Sequence, residues 1–67
     1  MTVLAERIKE LRTDRGMTTY TLGDAIGVSH IAISRWERAV QSPNVKYVVL
    51  LAQFFGVTCD YLVGMTD

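Results

Sequence analysis

Arg35, Ser34 and His30 are the side chains whose types and spacing suggest chemistry in this sequence. His30 pairs with Ser34, and Ile31 with Arg35, at the four-residue spacing that places both pairs on one side of a helix. That side has the means to read base-pair edges in a DNA major groove. A guanidinium makes a bidentate contact to guanine O6 and N7, imidazole and hydroxyl groups exchange hydrogen bonds with base edges, and Ile31 with Ala32 can pack on a thymine methyl. The alternative is a merely solvated face, on which a single exposed Ile31 is not unusual.

Positioning such a face requires a fixed pair of helices. Gly16, Gly27, Gly56 and Gly64 each close an apolar-periodic segment, and Thr18, Ser29 and Thr58 follow two residues later as helix N-caps. Ser42-Pro43-Asn44 marks the remaining boundary. The periodicity predicts five helices. The first runs Val3–Arg15 with Leu4, Ile8 and Leu11 inward, and the second Thr19–Ile26 with Leu22 and Ile26 inward. The third runs His30–Arg38 on Ile33 and Trp36, and the fourth Val45–Phe55 on Val48, Leu51, Ala52 and Phe55. The fifth is a short Cys59–Val63 on Leu62. The expectation is an all-α, compact five-helix bundle forming a single domain over residues 1–67. Its second and third helices, joined by Gly27-Val28-Ser29, form a helix-turn-helix unit over about residues 18–38. Gly23 in the middle of the second helix lets the third approach closely, at a helix-propensity cost of ~1 kcal/mol; a chance surface glycine is the lesser alternative.

Helix N-termini would hold the DNA phosphates, because their unpaired N–H groups and positive dipole end suit an anion. Thr18, Thr19 and Tyr20 open the second helix, Ser29 caps the third, and Ser42, Asn44 and Val45 open the fourth. Arg38 and Lys46 add positive charge nearby.

Composition bounds the other possibilities. The chain has 67 residues, half apolar, with seven Lys+Arg against seven Asp+Glu, so net charge alone suggests no polyanionic partner. Between Ser29 and Tyr47, however, two Arg and one Lys face Glu37 alone. One cysteine and one histidine make neither an internal disulfide nor a structural zinc site. No paired carboxylates in a plausible pocket, metal-ligand cluster, Gly-rich phosphate loop or nucleophile–base spacing is visible, so no enzyme and no cofactor are expected. The charged first 15 residues exclude a signal peptide, and no apolar run reaches the ~20 residues of a membrane span. We expect a soluble, cytoplasmic protein with no membrane partner. The chain stops at Met65-Thr66-Asp67 just after the fifth helix, which leaves room for a C-terminal oligomerisation or sensor domain in a longer protein.

Gly27-Val28-Ser29, Ile33-Ser34-Arg35-Trp36-Glu37-Arg38, Ser42-Pro43, Leu51-Ala52, Phe55-Gly56-Val57-Thr58 and Asp60-Tyr61-Leu62-Val63-Gly64 together resemble the XRE/Cro type of helix-turn-helix regulators. The resemblance spans roughly Leu4 to Gly64 and implies a lambda repressor-like DNA-binding domain that binds operator DNA, usually as a dimer on paired half-sites. It places His30, Ile31, Ala32, Ser34 and Arg35 against bases. The resemblance likewise implies that Thr19, Arg38 and the Gln41–Val45 loop face phosphate and that Arg12 pairs with Glu37. The sequence also departs from the family pattern. Thr19 stands where Gln often clamps a phosphate, Ala39 where Gly is usual, and Val40-Gln41 where a basic pair is common. These departures imply modest affinity per monomer and dependence on dimerisation.

Helix 4 is more apolar than one core stripe needs. Tyr47, Leu50 and Phe54 form a second stripe, which Cys59 and Tyr61 could extend into a twofold homodimer interface. Cover by Met1 and Val3, or an unusual orientation of helix 4, is the alternative. His30 as a pH switch, Cys59 as a redox group and Trp36 as a stacking platform are weaker readings than base reader, packing residue and core residue. The function expected is a sequence-specific repressor that binds a palindromic operator of double-stranded DNA as a homodimer. A protein-interaction module of the same fold, such as an antitoxin or antirepressor with a toxin or antirepressor partner, is the rival.

Overall fold

The computed structural model describes residues 2–65. The chain winds through α1 (Val3–Asp14), α2 (Thr19–Ile26), α3 (His30–Glu37), α4 (Val45–Phe55) and α5 (Cys59–Val63), with no strand among the described residues. Each helix starts at a capping side chain. Thr2, Thr18, Ser29, Asn44 and Thr58 hold extended backbone and accept a hydrogen bond from the N–H three residues on. Thr18 and Thr21 do this reciprocally, forming a capping box. α1 and α3 end one residue earlier than the periodicity suggests, because Arg15 and Arg38 are their C-caps rather than their last helical residues.

Every helix contributes one fully buried aliphatic side chain to the core: Ile8, Leu22, Ile33, Leu51 and Leu62. Each is worth roughly 1.5–3 kcal/mol relative to exposure. Ala5, Trp36, Ala52 and Phe55 complete the buried set, and Leu4, Leu11, Ile26, Val28 and Val48 pack against it half-buried. α2 lies along α3, while α1 contacts α3 and α5 and α4 contacts α5 and α2. α3 is therefore fixed from two sides.

The second stripe of α4 is half-buried rather than fully open. Tyr47 and Phe54 are half-buried and pack on the core, as does Cys59. Tyr47 sits 5.6 Å from the Trp36 ring, and Phe54 meets Phe55 edge-on at 5.2 Å. Arg15 then closes this end of α4. Its guanidinium donates to the carbonyls of Phe54 (3.1 Å) and Phe55 (2.8 Å) and lies 5.1 Å from the Phe55 ring centroid. A cation on the last carbonyls of a helix complements its dipole. Leu50 is half-buried, and Tyr61 is half-buried under the Arg7 guanidinium, 4.0 Å from its ring centroid. The large apolar side chains that α4 exposes are Val45 and Val49 instead. Val3 lies beside Gly64 at the end of α5, and Met1, Thr66 and Asp67 lie outside the described residues.

Candidate nucleic-acid interface

The turn between α2 and α3 is built by two glycines with different tasks. Gly27 ends α2 at a φ of 82°, a left-handed conformation that glycine adopts without a Cβ penalty. Its N–H and that of Val28 both return to the Gly23 carbonyl, at 2.8 and 2.9 Å. Gly23 itself is helical and buried, and a Cβ there would stand 2.5 Å from the Val28 carbonyl oxygen. Nothing larger than hydrogen fits. The backbone of α2 thus touches the turn directly, which sets where α3 begins.

α3 is held from its other end by an ion pair. Arg12 on α1 donates through Nε to Glu37 Oε2 (2.6 Å) and through Nη2 to Oε1 (3.0 Å). Its Nη1 reaches the Met17 carbonyl at 2.8 Å, just before α2. Glu37 is buried, and the two-point contact raises the Arg12 pKa further, chiefly through the hydrogen bond to Glu37, against the opposing effect of burial. One side chain of α1 therefore ties α3 to the start of α2. Because Arg12 neutralises Glu37, the segment from Ser29 to Tyr47 turns three cations and no unpaired carboxylate toward solvent: Arg35, Arg38 and Lys46.

The face of α3 away from the core carries Ile31, half of whose surface is open, and Arg35, which is exposed. His30 is half-buried because Tyr20 of α2 stacks on it, with ring centroids 3.9 Å apart and planes 19° from parallel. Ser34 is also half-buried, and its hydroxyl accepts from Arg38 Nε at 3.3 Å. Ala32 is set apart from the others. It packs half-buried on the core and lines a cleft of ≈ 430 Å³ that runs from the α2–α3 turn past Trp36 to Gln41, Ser42, Pro43, Asn44 and Tyr47. The cleft joins the two stretches expected to meet phosphate.

Of those stretches, Ser29 and Asn44 spend a side-chain oxygen on their own helices, accepting from Ala32 N–H at 3.2 Å and Tyr47 N–H at 3.1 Å. The Asn44 amide donors remain for an external acceptor. Thr18 is engaged with Thr21, Thr19 is half-buried, and Tyr20, Gln41, Ser42 and Lys46 are exposed. After α3 the chain reverses at Ala39, whose φ of 58° is the one positive value at a non-glycine among the described residues. The N–H groups of Val40 and Gln41 then return to the Arg35 carbonyl at 3.1 and 3.4 Å. The Tyr20–His30 stack and the Arg15 clamp had no local sequence signal, because each joins residues brought together only by packing.

Known proteins share this arrangement. The Helix-turn-helix family model matches residues 8–62. Repressor protein C2 of Salmonella phage P22 is 35% identical over 60 residues, covering 90% of this chain and 28% of that protein. The HTH-type transcriptional activator BcrR of Enterococcus faecalis is 36% identical over 59 residues, covering 88% of this chain and 29% of that protein. The chain thus spans less than a third of either curated relative. The crystal structure of the P22 c2 repressor in complex with a synthetic operator superposes with a TM-score of 0.87 at 33% identity, covering 94% of this chain and 96% of that one. The family is one of DNA-binding transcription regulators, not of enzymes. By its matched family, its relatives and its five-helix architecture, this chain belongs to the XRE-type helix-turn-helix family, beside the phage repressors.

Proposed function

We propose that this chain binds operator DNA as a repressor, with α3 in the major groove and two copies on the halves of a palindromic site. The observation that carries the reading is the outward face of α3, where Ile31 and Arg35 are open to solvent while Gly23 and the Arg12–Glu37 pair fix the helix. His30, Ile31, Ser34 and Arg35 contact base edges, with Ala32 closing the base of that face at the cleft. Thr18, Thr19, Tyr20, Ser29, Arg38, Gln41, Ser42, Asn44 and Lys46 meet the backbone. The operator complex of the P22 c2 repressor supports the DNA partner. No helix among the described residues is long and apolar enough to cross a membrane, in keeping with a protein that works on cytoplasmic DNA.

Self-association through the outer side of α4 and α5 brings two α3 helices about 34 Å apart, one turn of DNA. Leu50 leads this contact, with the open edges of Tyr47, Phe54, Cys59 and Tyr61. Phe54→Glu is expected to shift the chain to monomer in sedimentation; a dimer that survives it removes this interface. The DNA reading is tested by fluorescence anisotropy of duplex DNA against salt. With Arg38 and Lys46 of two subunits neutralising phosphates, log K falls with log salt at a slope of about −4. Binding that is weak at every salt concentration would favour a protein partner, such as a toxin or antirepressor, over DNA.

A further inference from the structure

Tyr20 and His30 are ten residues apart on different helices, yet their rings lie 3.9 Å apart and nearly parallel. Tyr20 opens the first turn of α2 and His30 is the first residue of α3. Gly23 lies three residues after Tyr20, on the same side of α2, and it is Gly23 that lets the start of α3 press against the α2 backbone. The close approach and the stack are therefore one feature. An aromatic ring as large as tyrosine remains 61% exposed there, so burial does not account for its position.

We infer that Tyr20 is a positioning residue that sets the orientation of His30 for base reading, an inference that rests on the proposed DNA-binding function. Stacking covers a face of the imidazole and leaves its edge untouched. The hydrogen-bonding nitrogens lie in that edge, which the stack does not engage. The tyrosine thus restricts the ring's rotation without using its donor or acceptor. An unstacked His30 would have to be immobilised on binding, and the ordering of one rotamer-rich side chain corresponds to about a 2- to 10-fold loss of affinity. A ring already held makes its contact with the correct base without that loss, so the stack sharpens discrimination at the base pair that His30 meets.

Two measurements test this. The first is the proton spectrum of the free protein, which needs no DNA. The His30 ring protons are expected to be shifted upfield by the Tyr20 ring, to stay shifted in Tyr20→Phe and to relax in Tyr20→Ala. A wild-type His30 at its unstacked position overturns the inference. The second is selection from random duplexes by wild type, His30→Ala, Tyr20→Ala and Tyr20→Phe, with the fold of each checked by circular dichroism. His30→Ala should flatten one position in each half-site. Tyr20→Ala should lower affinity uniformly through the lost backbone contact and, beyond that, weaken preference at that same position about 2- to 10-fold with base preference at the others unchanged, while Tyr20→Phe keeps the preference. Loss at a different position, no loss, or a Tyr20→Phe that behaves like Tyr20→Ala overturns it, the last by assigning the effect to the hydroxyl. A wild type that selects no motif overturns the proposed function as well, whereas a motif indifferent to Tyr20→Ala overturns this inference alone.

Discussion

Ala39→Gly is expected to stabilise the protein. Ala39 sits at a φ of 58°, where the Cβ of an L-residue crowds the backbone. That conformation costs roughly 1–2 kcal/mol for a residue other than glycine. Glycine removes the cost but adds freedom to the unfolded chain, worth about 0.4–1 kcal/mol in the opposite direction. The site is exposed, so no packing is lost with the methyl group. The balance is a gain of roughly 0.5–1 kcal/mol, which for a domain of this length raises the melting temperature by roughly 2–8 °C. Thermal unfolding followed by circular dichroism, with urea titration as a second probe, measures it directly. Ala39→Val provides the opposite arm, since a β-branched side chain fits the left-handed region worse than alanine and should lower the melting temperature. A glycine variant that melts at or below the wild type would refute the reasoning: either the strain is absent or the chain reverses differently after α3.

Gly23→Ala places a methyl 2.5 Å from a backbone carbonyl that cannot swing away, so a loss of about 1–3 kcal/mol in urea unfolding is expected even though alanine is the better helix former. Arg12→Ala strands a buried carboxylate and should cost about 3–5 kcal/mol, whereas Arg12→Met with Glu37→Leu should lie near neutral, because the apolar pair leaves no charge unpaired. Arg35→Ala should relax preference at one base pair per half-site by ~1–3 kcal/mol, read from competition with single-base operator variants. Lys46→Ala should leave base preference intact and reduce the salt slope by about 1 per subunit, read from anisotropy at several salt concentrations.

The fold was legible because its local signals agree. Cap residues, glycines and apolar spacing all point to the same five segments, and the one-residue differences fall at Arg15 and Arg38, where a cap was read as helix. The close approach at Gly23 was legible too, since a glycine inside a helix pays a propensity cost that packing must offset. The second stripe of α4 was harder. Apolar spacing says which residues share a side, but not whether a neighbouring ring or a distant guanidinium covers it. Here Trp36, Phe55 and Arg15 cover part of it, leaving Tyr47, Leu50 and Phe54 half-buried and Val45 and Val49 as the large apolar residues that α4 exposes. The charge count erred for the same reason. The count alone sets Glu37 against Arg35, Arg38 and Lys46; its pairing with Arg12, twenty-five residues away in the chain, is what the family resemblance implies and what the structure has. At the candidate interface, the residue types of α3 were readable, but their states were not. His30 under Tyr20, Ser34 under Arg38 and Ala32 at the cleft wall are products of tertiary contact.

On the proposed function, the outward face of α3 reads DNA sequence on paired half-sites. Selection of bound duplexes from a random pool, at a salt concentration high enough to suppress backbone-only binding, tests it most directly. The expected result is a palindromic motif whose half-site centres lie about one helical turn apart. Bound duplexes with no shared sequence, or a motif that survives simultaneous Ile31→Ala and Arg35→Ala substitution unchanged, would contradict it.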